Sequence, residues 1–147
     1  MKSLNIIAPI VLTMFVLWMN RYVNVNPLWY RHSKKPIFLP PKWVFPIIWT
    51  ILYSCFIYSW IQAQSNLHYS VLVWCYIASL LMNGYWTFLF FELKQLYIAA
   101  FIIVCLIILH SIIYIYQHDI FHTLYTILHI SWLSLAFFIN LFIIQAN

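Results

Sequence analysis

The chain has 147 residues, of which 66% are hydrophobic and only 6% are charged. Soluble proteins carry about 25% charged residues, so this composition excludes a soluble domain, and the single glycine excludes a collagen-like chain. A disordered chain is excluded as well, because disordered segments are poor in the aromatic residues that form 21% of this sequence. The composition therefore predicts an integral membrane protein.

Apolar runs separated by polar breaks divide the chain into candidate membrane spans. Each run is close to the roughly 20 residues that a helix needs to cross a bilayer, whereas a β-barrel would show alternating polar and apolar residues. The runs predict helices over about residues 4–20, 43–62, 70–91, 96–117 and 123–145. The predicted fold class is all-α, an integral membrane bundle of five transmembrane helices in a single domain over residues 1–147.

The first run has the Lys2 and apolar core of a signal peptide, but no small-residue cleavage site follows it. We therefore interpret it as a retained helix. The connections after the second, third and fourth runs are short, which predicts antiparallel neighbours. The first loop, residues 21–42, is longer and contains Pro27, Pro36, Pro40 and Pro41, which predicts an ordered segment over the mouth of the bundle.

Positive charge is concentrated in this first loop, which we call the basic loop (residues 21–42). It contains Arg21, Arg31, Lys34, Lys35 and Lys42, and Lys94 lies in the third loop. Positive residues favour the cytosolic side, so the N-terminus is expected outside and the C-terminus in the cytosol. Because the basic residues adjoin membrane spans, the net charge of +5 indicates lipid headgroups or an anionic ligand as partners, and not nucleic acid.

Cysteine and histidine side chains also lie within the predicted helices. Cys55, Cys75 and Cys105 fall one to a helix without C-x-x-C spacing, which predicts buried free thiols and no metal site. His110 and His129 are titratable groups at membrane depth and are therefore functional candidates, for example as axial haem ligands. The alternative is a neutral histidine that hydrogen-bonds a neighbouring helix, and both interpretations stay open.

Aromatic residues recur with helical periodicity on three of the predicted helices. Each stripe alone is explained by packing or by anchoring at the membrane interface. Together, and with two asparagines that need partners at membrane depth, they predict a shared aromatic pocket with few polar groups. The stripes are Phe45, Trp49, Leu52 and Phe56 with Tyr53 beside them, then Asn83, Trp86 and Phe90, and finally His129, Trp132, Ala136 and Asn140.

These positions resemble the TspO/MBR family of tryptophan-rich sensory proteins, whose mitochondrial members are called translocator protein or peripheral-type benzodiazepine receptor. The resemblance implies a five-helix membrane protein, commonly a homodimer, that binds porphyrins and other hydrophobic ligands in a pocket roofed by the first loop. Family members are linked to tetrapyrrole and sterol handling and to stress responses. The matching residues are Trp29, Tyr30, Lys35, Pro36, Pro40, Pro41, Trp43, Val44, Phe45, Trp49, Thr50, Leu52, Tyr53, Asn83, Trp86, Phe90, Phe91, Trp132, Ala136, Asn140 and Asn147.

The chain also departs from the family pattern at several places. The usual Trp-x-Pro of the third helix is Trp86-Thr87-Phe88, and the usual glycine after Phe-Phe is Glu92. The usual Pro-Tyr near the start of the fifth helix is Leu128-His129. Residues 139–145 lack the tyrosine and the arginine of the weak sterol pattern, so sterol recognition through this segment is not expected.

The resemblance implies a membrane receptor or carrier for protoporphyrin or haem, with no obligatory cofactor and a second copy of the chain as partner. The lack of a long presequence and the bacterial form of the motifs favour a bacterial cytoplasmic membrane. Arg31, Lys34, Lys35 and Lys42 are expected to pair with ligand carboxylates or lipid headgroups. The expected ligand contacts are Phe45, Trp49, Tyr53, Asn83, Trp86, Phe90, Trp132, Ala136 and Asn140.

Two alternatives remain beside the receptor. Family members have been proposed to degrade porphyrins in a light-dependent oxidation, which here would use Trp49 and Trp132. Because Glu92 and Asp119 are the only acidic residues, the sequence offers no paired-carboxylate site or hydrolytic triad, and any catalysis would be redox or photochemical. The other alternative is a scaffold in which the aromatic residues only pack.

Overall fold

The structure is a computed structural model that describes residues 5–147. Its helices confirm the predicted all-α membrane bundle. A short helix lies inside the basic loop, and the other five form the bundle. In chain order the helices are α1 (Ile7–Asn20), α2 (Leu28–His32), α3 (Val44–Ala63), α4 (Tyr69–Phe91), α5 (Leu96–Tyr116) and α6 (Ile120–Ala146).

The lengths of α3 to α6 fit the bilayer. These four helices are long and apolar enough to cross a membrane, and the shortest, α3, has 20 residues. At 1.5 Å per residue that length covers about 30 Å, the thickness of the hydrocarbon layer. Helix α1 is apolar but has 14 residues, and its predicted start at residue 4 lies outside the described residues. The chain is a multi-pass integral membrane protein.

The bundle helices form a ring whose order differs from the chain order. Helix α1 packs against α3 and α4, α5 packs extensively between α4 and α6, and α3 closes the ring against α6. Of these contacts the one between α3 and α6 is the least extensive. We call this contact the α3–α6 seam.

Local sequence explains where two of the helices begin. Helix α6 starts at Ile120, before the predicted residue 123, because the Asp119 side chain accepts a hydrogen bond from the His122 backbone N–H at 2.9 Å. Pro46 is tolerated in α3 because it lies in the first turn, where backbone N–H groups have no partner within the helix. Helix α2 was not predicted, since five residues are too few to show a periodicity.

The basic loop is fastened to the ends of α4 and α6. The indole N–H of Trp29 donates to the Phe91 carbonyl at 2.9 Å, and the backbone N–H of Asn24 donates to the Glu92 carboxylate at 2.7 Å. The Asn147 side chain accepts from the Lys34 backbone N–H at 2.7 Å. These bonds hold the loop across the end of the bundle, where it carries its positive charge.

Helices α1 and α4 approach closely at the one glycine of the chain. A Cβ atom added to Gly84 would lie 2.6 Å from Cγ1 of Val16. Small residues at membrane helix contacts let backbones approach, and association there depends on van der Waals packing. The contact therefore holds the short α1 against the bundle.

We expect Gly84→Ala to lower the stability of the folded protein by about 1–3 kcal/mol, the usual cost of overpacking. Because the clash is with one methyl group, the same change should cost little in a Val16→Ala background. Thermal unfolding of the parent, both single variants and the double variant in detergent measures this coupling. A Gly84→Ala protein as stable as the parent would contradict the described contact.

Candidate functional site

Four of the predicted ligand contacts meet at the α3–α6 seam. The Trp132 ring of α6 lies edge-on to Phe45 and Trp49 of α3, with ring centroids 5.3 and 6.4 Å away. Trp49 also stacks on Tyr53, with centroids 5.3 Å apart. We call Phe45, Trp49, Tyr53 and Trp132 the seam cluster. Aromatic edges and faces thus bridge α3 and α6, whose contact is the least extensive in the ring.

Two further predicted contacts lie in a separate cluster beneath the basic loop. Trp86 stacks on Phe90 of the same helix at 5.1 Å, and Phe90 in turn contacts the rings of Trp29 and Tyr30 at 5.8 and 5.9 Å. We call these four residues the roof cluster. It belongs to the part of the core formed with α5 and the second half of α6, where Ala136 also packs, whereas Trp49, Tyr53 and Trp132 of the seam cluster pack on the other part. The structure therefore divides the predicted pocket into two groups.

The two predicted asparagines make bonds within the bundle. Asn83 is buried and donates from its amide to the Ser79 carbonyl at 3.1 Å, one turn earlier on α4. In the amide orientation that satisfies both groups, buried Asn140 donates to the Leu96 carbonyl at 3.1 Å and accepts from the Ala100 N–H at 3.2 Å. Asn140 therefore fastens α6 to the first turn of α5, and its amide is already occupied.

The basic side chains of the loop include one that is hydrogen-bonded within the loop and others that are exposed. The Lys35 ammonium donates to the Tyr30 carbonyl at 2.6 Å and lies 4.6 Å from the centre of the Tyr30 ring, so it caps α2. Arg31, Lys34 and Lys42 are exposed. Of the four loop cations predicted to pair with anionic groups, three are thus exposed, and the fourth, Lys35, stabilises the loop.

Two concave regions lie outside the aromatic clusters. A cavity of about 270 Å³ opens between the basic loop, the start of α5 and the end of α6, and its wall includes Trp29, Lys94 and Asn147. A groove of about 570 Å³ runs along α6 between Phe38 and Phe142. The seam cluster lines neither region, since its rings pack on one another.

Two buried histidines lie side by side between α5 and α6. The rings of His110 and His129 have centroids 3.8 Å apart, and the two residues are 0% and 2% exposed. Nδ1 of His129 lies 3.0 Å from the Tyr125 hydroxyl. Both ring nitrogens of His110 and Nε2 of His129 have no hydrogen-bond partner among the described residues. His129 precedes Trp132 of the seam cluster by one helical turn.

A second polar group of residues closes the end of the bundle opposite the basic loop. Buried Gln117 accepts from the Tyr76 hydroxyl at 2.7 Å and donates to the Ser59 carbonyl at 3.2 Å and to Nε2 of His122 at 3.2 Å. His122 then donates from Nδ1 to the Asp119 carboxylate at 2.8 Å. This chain of hydrogen bonds links α3, α4 and α6. Each buried side chain in it has a hydrogen-bond partner.

Comparison with known sequences identifies the family. The sequence model of the TspO/MBR family matches residues 6–145. The chain belongs to the TspO/MBR family. The resemblance stated from the motifs is thereby confirmed, and the two aromatic clusters, the basic loop and Asn140 are the places where this member of the family positions those motifs.

Two relatives extend the comparison. A tryptophan-rich protein TspO of Archaeoglobus fulgidus is 26% identical over 153 aligned positions, which cover 100% of this chain and 99% of the relative. A tryptophan-rich sensory protein of Cereibacter sphaeroides is 32% identical over 75 residues, 51% of this chain and 48% of the relative. That second match thus spans about half of either protein.

Sequence reasoning treated His110 and His129 singly and missed their contact. Helical periodicity places His129 on the same face as Trp132, but it carries no information about the register of α5 against α6. The role of Gln117 was missed as well, because a glutamine at a helix end has no periodic signal. A polar residue beside His122 and Asp119 was the only available hint.

The Asp119 cap generates a pH-dependent prediction. The hydrogen bond from the His122 backbone N–H, together with the bond from its imidazole, holds the pKa of Asp119 below the usual carboxyl value, although burial acts in the opposite direction. The stabilisation is therefore fully present above the unfolded pKa of about 3.9 and is lost as the pH falls through the lower folded pKa. Because the side chain is 64% exposed, the effect is small.

We expect Asp119→Asn to unfold at a slightly lower temperature than the parent near neutral pH and at the same temperature well below pH 4. Asparagine keeps a capping oxygen, so the comparison isolates the charge. Thermal unfolding of both proteins across this pH range measures the difference. A difference that persists or grows well below pH 4 would contradict the direction of the shift.

Proposed function

We propose that this protein is a membrane receptor or carrier for tetrapyrroles, either protoporphyrin or haem, in a bacterial cytoplasmic membrane. Membership of the TspO/MBR family supports a membrane sensory protein connected with tetrapyrroles. The observation that carries the proposal is the edge-to-face contact of Trp49 with Trp132 across the α3–α6 seam. There, aromatic side chains of two helices meet where the ring of helices is least packed.

The seam cluster fits the chemistry of a porphyrin. The macrocycle is a wide apolar plane, and it binds well between aromatic side chains that offer faces and edges. Separating α3 from α6 breaks fewer contacts than separating any other adjacent pair of the ring. Much of what is lost there is aromatic contact within the seam cluster, and the porphyrin plane replaces it.

The exposed cations of the basic loop fit the carboxylates at the edge of a porphyrin. Lys42 precedes Phe45 by only three residues, so its charge lies at the loop end of the seam cluster. A ligand that enters with its ring in the cluster would leave its carboxylates near Lys42, and Arg31 and Lys34 lie in the same loop. The other proposed partners are membrane lipids and a second copy of the chain in a homodimer.

The first prediction concerns the two tryptophans of the seam cluster. Phenylalanine keeps an aromatic face and most of the volume, so Trp49→Phe and Trp132→Phe should leave folding nearly unchanged. Loss of the indole area should weaken protoporphyrin binding by about 1 kcal/mol or more. Fluorescence titration of the purified proteins measures the affinity, and thermal unfolding without ligand measures the stability.

Trp18→Phe is the matched control, because Trp18 lies on α1 away from the seam and is 54% exposed. It should bind protoporphyrin like the parent. If Trp18→Phe weakens binding as much as the seam variants do, or if both seam variants bind like the parent, the proposed site is wrong.

The second prediction concerns the basic loop. Replacing Arg31, Lys34 and Lys42 with glutamine should weaken the dicarboxylate protoporphyrin several-fold and its dimethyl ester little, because each exposed ion pair contributes about 0.2–1 kcal/mol. The difference should shrink at high salt. Lys35→Gln should instead affect both ligands equally, because Lys35 caps α2. Equal losses for both ligands in the triple variant would show that these cations do not pair with carboxylates.

A light-dependent porphyrin-degrading enzyme is the second candidate function. It is favoured by the same contact, because Trp49 and Trp132 would place two oxidisable indoles beside one ring. Incubation of the protein with protoporphyrin in light and in darkness separates the two functions. A new absorbing product that forms with turnover in light supports the enzyme, and an unchanged spectrum of the bound porphyrin supports the receptor.

A further inference from the structure

The cavity between the basic loop, the start of α5 and the end of α6 is open and positively charged. Its volume is about 270 Å³, its wall contains Lys94 and His32, and none of the described residues in that wall is acidic. Five of the seven lysine and arginine residues of the chain lie in the basic loop, and Lys94 adds a sixth at the same end of the bundle. The acidic side chain at this end, Glu92, accepts the Asn24 backbone N–H and lies outside the cavity wall. The cavity therefore suits an anion.

The turn between α4 and α5 places Lys94 in the cavity wall. Its φ is 52°, in the left-handed region where glycine or asparagine is usual after a helix. The ammonium lies 5.4 Å from the centre of the Trp29 ring, and that ring is fixed by the bond from its N–H to the Phe91 carbonyl. In the described part of the chain, the one contact between a basic and an acidic side chain joins His122 and Asp119 at the opposite end of the bundle. Lys94 thus has no carboxylate that neutralises its charge.

The volume of the cavity favours a small anionic group over a porphyrin ring. Pockets for drug-sized ligands measure about 300–1,000 Å³, and a tetrapyrrole is at least that large a ligand. A phosphate diester is smaller, and it forms a charge-assisted hydrogen bond with a lysine ammonium. The wall also contains Leu96, Ile143 and Ile144. The anion that fits this wall therefore carries an apolar part beside its charge.

A stripe of exposed apolar side chains leads from the cavity along α5. Tyr97 lies in the cavity wall, and Phe101, Val104 and Ile108 follow it at i+4, i+7 and i+11, on the same side of the helix. All four side chains are exposed on the bundle, and α5 is long and apolar enough to cross a membrane, so the stripe faces acyl chains. A cation at the membrane boundary with an apolar stripe below it matches a lipid better than a free phosphate ion.

We propose that this cavity binds the headgroup of one acidic glycerophospholipid, with its phosphate at Lys94 and its acyl chains along the α5 stripe. Basic pockets between transmembrane helices on the cytosolic side bind anionic headgroups, and the positive-inside rule places the basic loop on that side. The seam cluster does not line this cavity. The lipid site is therefore independent of the proposed tetrapyrrole site, and the two ligands can be bound together.

The test measures the retention of single lipids by the purified full-length protein, with native mass spectrometry in detergent. The probes are dioleoylphosphatidylglycerol, dioleoylphosphatidylcholine, whose headgroup has no net charge, and inorganic phosphate. We expect one phosphatidylglycerol per chain, bound about fivefold or more tightly than phosphatidylcholine and not displaced by an equal concentration of phosphate. Equal retention of the two lipids would overturn the proposal, and so would displacement by phosphate, which would show a site for the free ion.

Lys94→Asn removes the charge and introduces a residue that tolerates the left-handed conformation. Its affinity for phosphatidylglycerol should fall about fivefold, the effect expected of one lysine near a membrane surface. Its melting temperature without lipid should stay the same or rise, because asparagine is less strained than lysine at this φ. A lower melting temperature would make Lys94 a structural residue of the turn and would overturn its assignment to the lipid.

Arg21→Asn is the matched control, because it removes one exposed cation from the same end of the bundle, at the end of α1 and outside the cavity wall. It should bind phosphatidylglycerol like the parent. An equal loss in Arg21→Asn and Lys94→Asn would show diffuse attraction to the basic loop and no site. Protoporphyrin added to the lipid-bound parent should leave phosphatidylglycerol in place, and its displacement would assign the cavity to the tetrapyrrole carboxylates instead.

Discussion

The absence of water from the bilayer core is the constraint on which this structure depends. A polar group at membrane depth must find a partner inside the bundle, because a missing hydrogen bond there is not replaced by solvent. Asn140 meets this requirement by bonding the first turn of α5, and Gln117 meets it with the hydroxyl of Tyr76, the carbonyl of Ser59 and the ring of His122. These bonds fix the register of the helices in a core that apolar packing alone would leave less specific.

The same constraint makes buried polar groups without a hydrogen-bond partner informative. Seven buried side-chain atoms of the described residues lack a hydrogen-bond partner, and three of them are ring nitrogens of His110 and His129, which lie together beside Tyr125. Packing explains the burial of these rings, but it does not explain their polarity.

Packing and function are related through α3. The contact of this helix with α6 is the least extensive in the ring, and aromatic rings bridge it at Trp132. Helices α4, α5 and α6 pack more closely, and the Gln117 bonds join α3, α4 and α6 at the end of the bundle opposite the basic loop. The bundle thus combines a closely packed part, α4 to α6, with a less extensive contact at the α3–α6 seam, where we propose that a large flat ligand binds.

Much of the fold was accessible from the sequence, because the length and polarity of the apolar runs are physical requirements of the bilayer. Helices α3, α4 and α5 lie close to the predicted ranges for this reason. The start of α6 was wrong by a turn because a cap at Asp119 decides it, and α2 is too short for any periodic signal. Within the site, periodicity predicted that Trp49 and Trp132 face the bundle, and the structure has both half-buried against its core.

What the sequence did not provide is the packing of one helix against another. Periodicity predicted one pocket, whereas the structure separates Trp49 and Trp132 from Trp86 and Phe90. The sequence also did not show that the Lys35 ammonium donates a hydrogen bond to the Tyr30 carbonyl. Both outcomes depend on the relative rotation and height of neighbouring elements, which no single segment encodes.

The central claim is that a tetrapyrrole binds at the α3–α6 seam, and fluorine NMR of the protein with 5-fluorotryptophan at its eight tryptophans tests it most directly. The ring current of a bound porphyrin shifts only the indoles that it contacts. The account predicts that protoporphyrin or haem shifts the signals of Trp49 and Trp132 most and leaves those of Trp18 and Trp74 unchanged. Largest shifts at Trp18 or Trp74, with Trp49 and Trp132 unmoved, would contradict it.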